Sequence, residues 1–280
     1  MKIIIIGVSG FIGKSLYRFL NLKYDVFGLS RSKINLKNCY RLDLFKAKEV
    51  HNFFKKNNFD VIINLASVMA SKDNTHDFDL LLQNLMIQTN LVKALKIHKS
   101  AYFINFSSSA VYPNISGIFS ENDFIDSSVN PDCLYGLSKF NSEILFNFFL
   151  KNNFDILNLR LGYVHGKEMN KTRIHKVFQS ELKIKNTITL WGNGIRIIPQ
   201  ISIDFLNKNI VKFIENRIIG TFNLAEEHLS LEKIAEKIIK SKGNFNSKLI
   251  YVKEGNTEKF QMDISKFRSI IKTNSKNKFR

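Results

Sequence analysis

The chain opens on four consecutive isoleucines, Ile3 to Ile6, closed by Gly7. A β-branched run with no alternating polar face predicts a strand over 2–7 that is covered on both sides, as in a parallel sheet. From Phe11 to Leu20 the apolar positions return at helical spacing. The alternation continues, with strands predicted at 25–29, 39–42, 60–65, 101–106 and 154–160 and helices between most of them. A helix from about Leu134 to Phe149 feeds the last of these strands. This pattern argues an α/β fold built on a doubly wound parallel sheet. After Gly166 the periodicity loosens and glycines and polar turns multiply, which predicts a smaller C-terminal lobe.

A length of 280 residues suits one large domain or two unequal ones with a sizeable core. No apolar run approaches the about 18 residues of a membrane span, and the isoleucine run is too short for a signal peptide. Cys39 and Cys133 have neither metal-ligand spacing nor the density of a disulfide framework, so the expectation is a cytoplasmic protein without a metal site. The net charge of +18 would attract polyanions, but the lysines are spread among asparagines, isoleucines and phenylalanines. No nucleic-acid or membrane partner is expected, and the same field favours an anionic nucleotide. Lys272 to Arg280 reads as a charged polar tail that frays.

Two constellations carry chemistry. Gly7-Val8-Ser9-Gly10-Phe11-Ile12-Gly13 joins the first strand to the first helix. Such a turn lets a phosphate approach the backbone, and the helix N-terminus offers free N–H groups to it. The second is Tyr135-Gly136-Leu137-Ser138-Lys139. A phenol of pKa about 10 is a poor acid or base at neutral pH. A lysine one helical turn away favours the phenolate, so the tyrosine can exchange a proton with a substrate hydroxyl or carbonyl. Alone, the pair could equally be an exposed lysine lying along a half-buried tyrosine. The glycine turn gives it a partner.

Together these residues resemble the extended short-chain dehydrogenase/reductase family, and further matches run through most of the chain. They include Asn64-Leu65-Ala66, the helix Asn84 to Leu91, Phe106-Ser107-Ser108-Ser109-Ala110-Val111-Tyr112, Pro131 and Glu143. The resemblance implies a Rossmann-type NADP-binding domain over 1–165 with returning segments near 200–224. Residues 166–199 and 225–280 would form the substrate-binding lobe. It implies Ser108, Tyr135 and Lys139 as catalytic residues. Gly7, Gly10, Phe11, Ile12, Gly13, Asp43, Leu44, Leu65, Ala66 and Lys139 would contact the cofactor. Ser109, Trp191 and Arg196 would contact the substrate, with Arg196 on its diphosphate; Trp191 stands equally as core packing.

The end of the second strand bears on the cofactor. Phe27-Gly28-Leu29-Ser30-Arg31-Ser32 lacks the acid that grips a ribose 2′-hydroxyl. Arg31 can hold a 2′-phosphate bidentately and Ser30 or Ser32 can add a hydroxyl, so NADP is expected and NAD less so.

The segment Leu190 to Arg196 and the turn Ser108 to Pro113 are similar to the GDP-fucose synthase and nucleotide-sugar 4-ketoreductase branch of that family. That branch uses a cysteine where Ala110 stands, with a histidine that His175 could match, and an asparagine near Gly162 or Tyr163. Ala110 cannot move a proton. The expectation is therefore an NADP-dependent reductase of the 4-keto group of a nucleotide-linked (deoxy)sugar, serving cell-surface polysaccharide biosynthesis. An NAD-dependent 4-epimerase is the alternative, and a non-catalytic NADP-sensing protein a distant one. The resemblance also implies a homodimer through helices beginning near His76 and Leu134.

Overall fold

A computed structural model describes residues 1–71, 73–97 and 101–276. Along the chain the first elements are β1 (Lys2–Ile6), α1 (Phe11–Leu20), β2 (Asp25–Ser30), β3 (Cys39–Arg41), α2 (Ala47–Lys56), β4 (Val61–Asn64), α3 (Phe78–Leu95) and β5 (Ala101–Ser108). Then come β6 (Gly117–Phe119), α4 (Cys133–Leu150), β7 (Phe154–Leu161), β8 (Tyr163–His165), α5 (Ile174–Lys185) and β9 (Thr187–Trp191). The remainder is β10 (Ile197–Ser202), α6 (Ile203–Asn216), β11 (Gly220–Leu224), β12 (Glu227–Ser230), α7 (Leu231–Lys242), β13 (Lys248–Val252), β14 (Phe260–Met262) and α8 (Ser265–Lys276).

Seven strands form one parallel sheet in the order β11-β7-β5-β4-β1-β2-β3, a Rossmann-type arrangement. The six predicted strands are all in it, each end within two residues of its expected place. The isoleucine run explains itself here. Ile3 and Ile5 pack with Leu16 and Leu20 of α1 and Leu206, Ile210 and Phe213 of α6. Ile4 and Ile6 face the other way, against Phe54, Leu91, Leu95, Phe146 and Leu150 of α2, α3 and α4. All four isoleucines are fully buried, each contributing about 1.5–3 kcal/mol of hydrophobic stabilisation. Helices on both faces leave no polar side for the strand.

The lobe has its own core of Phe178, Leu182, Ile188, Leu190, Ile234, Ala235 and Ile238. It holds a three-stranded sheet, β12-β10-β8, and the pair β13-β9. Two boundaries differ from the sequence expectation. Gln200 to Ser202 pair with β8, outside the large sheet, so the chain returns to that sheet with α6 and β11. The last helix, expected in the lobe, lies on β11 instead, because Phe267 is buried with Phe213 and Phe222. Residues 272–276 of the expected tail continue that helix, and 277–280 lie outside the described residues. Among the described residues no helix is long and apolar enough to cross a membrane, and no cluster of three or more His, Cys, Asp or Glu could hold a metal ion.

Between α4 and the sheet lies a buried ion pair. Arg160 of β7 donates from Nη2 to Oε2 of Glu143 at 2.8 Å and from Nε to Oε1 at 3.0 Å, and both side chains are at most 5% exposed. Ser107 of β5 also donates to Glu143. On its other side Arg160 donates from Nη1 to the Tyr112 hydroxyl at 2.8 Å, which has Asn223 Oδ1 of β11 at 2.8 Å. Asn223 in turn donates to the carbonyls of Phe119 and Asp263 at 2.9 and 3.1 Å, reaching β6 and the segment after β14.

Arg160→Met would leave the Glu143 carboxylate unpaired in the interior, at a cost of about 3–5 kcal/mol. Replacing both, Glu143→Leu with Arg160→Met, should recover most of that loss. Urea unfolding followed by circular dichroism measures both; a double variant as unstable as the single one would contradict this account.

Candidate active site

The glycine turn is built for close approach. Gly7 has φ +88°, and a Cβ there would sit 3.1 Å from the Ala66 nitrogen and the Leu65 carbonyl carbon. A Cβ on Gly13 would come within 2.4 Å of the Gly7 oxygen, so α1 packs directly on the turn. The N–H groups of Gly7 and Val8 both donate to the Leu29 carbonyl, at 2.8 and 3.2 Å, tying the turn to β2. Gly10 caps α1 without a side chain, and the first turn of that helix carries no acid. The first N–H donors of α1, at Phe11, Ile12 and Gly13, have no acceptor one turn back, which suits a diphosphate.

The ends of β2, β3 and β4 lie on either side of this turn. Ser30 is 2% exposed, and its hydroxyl has no hydrogen-bond partner among the described residues. Arg31 is exposed beyond it, its carbonyl accepting from Arg41 Nε at 3.3 Å. Asp43 Oδ1 accepts from the Phe45 N–H at 3.1 Å, which fixes the carboxylate at the turn after β3. The Leu44 side chain packs into the core with Phe54, so it turns inward and not to a cofactor. Leu65 and Ala66 follow β4, and Asn84 holds the loop beyond them. Asn84 Oδ1 accepts from the Val68 N–H at 2.8 Å, and its Nδ2 donates to the Val68 carbonyl at 3.0 Å.

Tyr135 and Lys139 lie where α4 crosses the end of β5, the strand that ends on Ser108. Gly136 makes this possible: a Cβ there would lie 2.1 Å from the Ala110 oxygen. Ser108 Oγ accepts from the Ala110 N–H at 3.1 Å, capping the short turn that holds Ser109 and leaving its own proton to donate. Tyr135 is nearly buried and its hydroxyl lies 3.4 Å from Met69 Sδ. Burial pushes the Tyr135 phenol up to about 12; the Arg173 charge and the Ser67 hydroxyl pull against it, and Asp132 adds to the rise. Lys139 Nζ donates to the Phe106 carbonyl at 2.9 Å and lies 5.6 Å from the Tyr135 ring centre. Burial brings the ammonium down to about 8, with Glu143 opposing.

The expected substrate contacts divide. Arg196 is half-buried; burial lowers its pKa and the Asp132 carboxylate, at the start of α4, opposes the shift. Trp191 is 57% exposed at the end of β9, which excludes core packing, but no contact joins it to Tyr135 among the described residues. Four residues near Tyr135 went unread in the sequence. Ser67 and Met69 follow Asn64-Leu65-Ala66 directly and could have been found by extending that stretch. Asp132 occupies the cap position of α4, a local signal. Arg173, which precedes α5 in the lobe, has no local signal, because folding alone brings it to Tyr135.

A lysine held down to about 8 from 10.5 weakens the fold at neutral pH. Below 8 both folded and unfolded chains carry the proton and the penalty is complete. Between 8 and 10.5 only the unfolded chain carries it, so stability rises with pH across that window. Lys139→Met should therefore be more stable than the parent at pH 7, by up to ~3 kcal/mol, and should lose the rise. Urea midpoints across this range test it; a lower midpoint at pH 7 would mean that the bond to Phe106 outweighs the buried charge.

Comparison with known proteins identifies a family. The model of the NAD dependent epimerase/dehydratase family matches residues 3–225. The uncharacterized UDP-glucose epimerase YtcB of Bacillus subtilis is 27% identical over 217 residues, 69% of this chain and 66% of that protein. The GDP-L-colitose synthase of Yersinia pseudotuberculosis is 24% identical over 271 residues, 88% of this chain and 84% of that one. The chain spans 40% to 66% of the length of the first curated relatives it matches. Among solved structures, the UDP-glucuronic acid 4-epimerase of Bacillus cereus, in complex with UDP-glucuronic acid and NAD, superposes with a TM-score of 0.81 at 24% identity, covering 97% of this chain and 93% of that one.

Proposed function

The chain belongs to the NAD-dependent epimerase/dehydratase family, and from that premise we propose that it is an NADPH-dependent reductase of the 4-keto group of a nucleotide-linked sugar. The observation that carries the cofactor choice is the end of β2. It presents Arg31 and the buried, unpartnered hydroxyl of Ser30, with no carboxylate in the segment Phe27 to Ser32. A carboxylate there would favour a free 2′-hydroxyl, whereas a guanidinium suits a 2′-phosphate.

In this reading the glycine turn and the α1 N-terminus hold the diphosphate, and Lys139 holds the nicotinamide ribose. The bound cofactor would supply a hydride to the carbonyl carbon. Tyr135 delivers the proton to the carbonyl oxygen, turning C=O into CH–OH, and regains it from solvent. Ser108 donates a hydrogen bond to the same oxygen as charge builds on it. Lys139 favours the phenolate that remains, so its charge matters most at the moment of transfer.

Proton shuffling at a ring carbon would need a second acid or base. Ala110 offers none. His175 stacks on His165 with ring centres 4.4 Å apart, and burial, with His165, keeps it neutral down to about 4. Its Nδ1 is buried with no hydrogen-bond partner among the described residues, and it lines a cavity of about 260 Å³ with His165, Gln200 and Lys237, apart from Tyr135. This supports simple reduction.

The protein should bind NADPH about ten- to a hundredfold more tightly than NADH, the range of one charge-assisted contact. Fluorescence titration of each cofactor, repeated on Arg31→Ala, measures it, and the variant should lose the preference while keeping NADH. Tyr135→Phe should bind NADPH normally and turn over at least about a hundredfold more slowly. Equal affinities for the two cofactors in the parent would favour an NAD-dependent 4-epimerase instead.

A homodimer is part of the proposal. Phe78, Leu82 and Met86 of α3 and Leu137, Ile144 and Phe148 of α4 are exposed on two helices that pack side by side. A second copy would bury these stripes. Sedimentation should give a dimer, and Phe148→Glu should shift it to monomer; a monomeric parent refutes the arrangement.

A further inference from the structure

One end of the lobe carries basic and apolar side chains that the proposed reaction does not use. Helices α5 and α7 both finish there. Asn186, left-handed at φ +53°, closes α5 and binds the loop after α7. Its Nδ2 donates to Asn244 Oδ1 at 3.2 Å, and its Oδ1 accepts from Ser247 Oγ at 2.6 Å. The Lys248 N–H donates to the Asn186 carbonyl at 3.2 Å. Within the loop, the Asn244 N–H donates to Ser247 Oγ and the Asn246 N–H to Asn244 Oδ1, both at 2.9 Å. These bonds join two helix ends into one tip.

Phe245 stands between those two asparagines and is 96% exposed; Ile184, two residues before Asn186, is 76% exposed. Lys183 and Lys185 flank Ile184 in the last turn of α5, and Lys240 and Lys242 occupy the last turn of α7. With Lys248 at the start of β13, all five lysines are exposed, and none forms an ion pair with a carboxylate among the described residues. The sequence has no Asp or Glu over 182–203 or 237–253. Lysines in a last helical turn complement the helix dipole and by themselves would be ordinary. The dipole does not account for a phenylalanine and an isoleucine held in water among them.

We propose that this tip is a docking surface for an anionic lipid bilayer. Phe245 and Ile184 enter the boundary between headgroups and acyl chains, and the ammonium groups around them meet lipid phosphates. A single-stranded nucleic acid would stack a base on Phe245 but would gain nothing from Ile184, whereas a bilayer takes both. Such a contact needs no spanning helix. Thr187 opens β9 next to the tip and Trp191 closes it about 13 Å away, so docking leaves the segment Trp191 to Arg196 open. The inference does not depend on which reaction the protein catalyses.

The test is co-sedimentation of the full chain with vesicles of phosphatidylcholine alone and of an equimolar mixture with phosphatidylglycerol, at low and high salt. A net charge of +18 draws the protein to any anionic surface, so a charge-matched control is needed. Lys55→Glu with Lys56→Glu, exposed in the last turn of α2, provides it. The parent should bind the mixed vesicles only, and less at high salt. Lys240→Glu with Lys242→Glu should weaken binding at least about 25-fold, about fivefold for each lysine, and well beyond the control pair. Phe245→Ser should weaken it about tenfold and Phe245→Leu much less. Thermal melts confirm folding of each variant. Absence of binding to the mixed vesicles, equal losses in the two lysine pairs, or unchanged binding by Phe245→Ser each overturns the inference. A single-stranded oligonucleotide that binds more tightly than the vesicles and is weakened by the same variants makes the tip a nucleic-acid site and overturns it too.

Discussion

A carboxylate and a guanidinium in a dry interior must be paired, and Glu143 and Arg160 meet that demand at the place where α4 crosses β7. The pairing settles the rotation of α4, because Glu143 lies one helical turn beyond Lys139 and two beyond Tyr135. Once Glu143 faces Arg160, Lys139 and Tyr135 must face the ends of β5 and β7. The far side of Arg160 extends the same constraint through Tyr112 and Asn223 to the segments that lead into the lobe. An apolar pair of the same volume could be equally stable. It would not specify which residues of α4 look at the sheet.

Missing side chains do the complementary work. Gly13 lets α1 rest on the turn that follows β1, and Gly136 lets α4 rest on the turn that follows β5. In both places a helix meets a strand-end turn at backbone contact distance. The first contact puts unpaired N–H groups beside the turn, where an anion can sit. The second sets the Tyr135 end of α4 against the turn that Ser108 caps. Any Cβ at either position would push the helix off its turn.

The lobe contributes charge more than shape. Helix α4 supplies a phenol pushed up to about 12 and an ammonium brought down to about 8, both by burial first of all. Burial at this depth opposes the charged form of each, and the positive charge of Arg173 pulls the phenol the other way. Arg173 and Arg196 come from segments that pack on the lobe core.

Local periods decided the sheet. The isoleucine run, the alternation of strand and helix and the glycine turn were legible because a strand covered on both faces and a helix with one apolar stripe leave their marks within a few residues. Gly7, Gly13, Tyr135 and Lys139 were singled out by the same local spacing, and Ser108 by the family resemblance. The positions of Phe267 and Gln200 were not, since α8 packs on β11, and β10 pairs with β8, through segments distant in the chain. Leu44 was read as a cofactor contact, yet the core claims its side chain, and Trp191 is left in solvent. Arg173 is the clearest case. Its neighbours in the chain describe an ordinary helix start, and only the stacking on Tyr163 and the docking of the lobe bring its charge to Tyr135. Secondary structure and backbone turns are determined by residues close in the chain. Which charges share a site depends on packing between remote elements, and that only the tertiary structure decides.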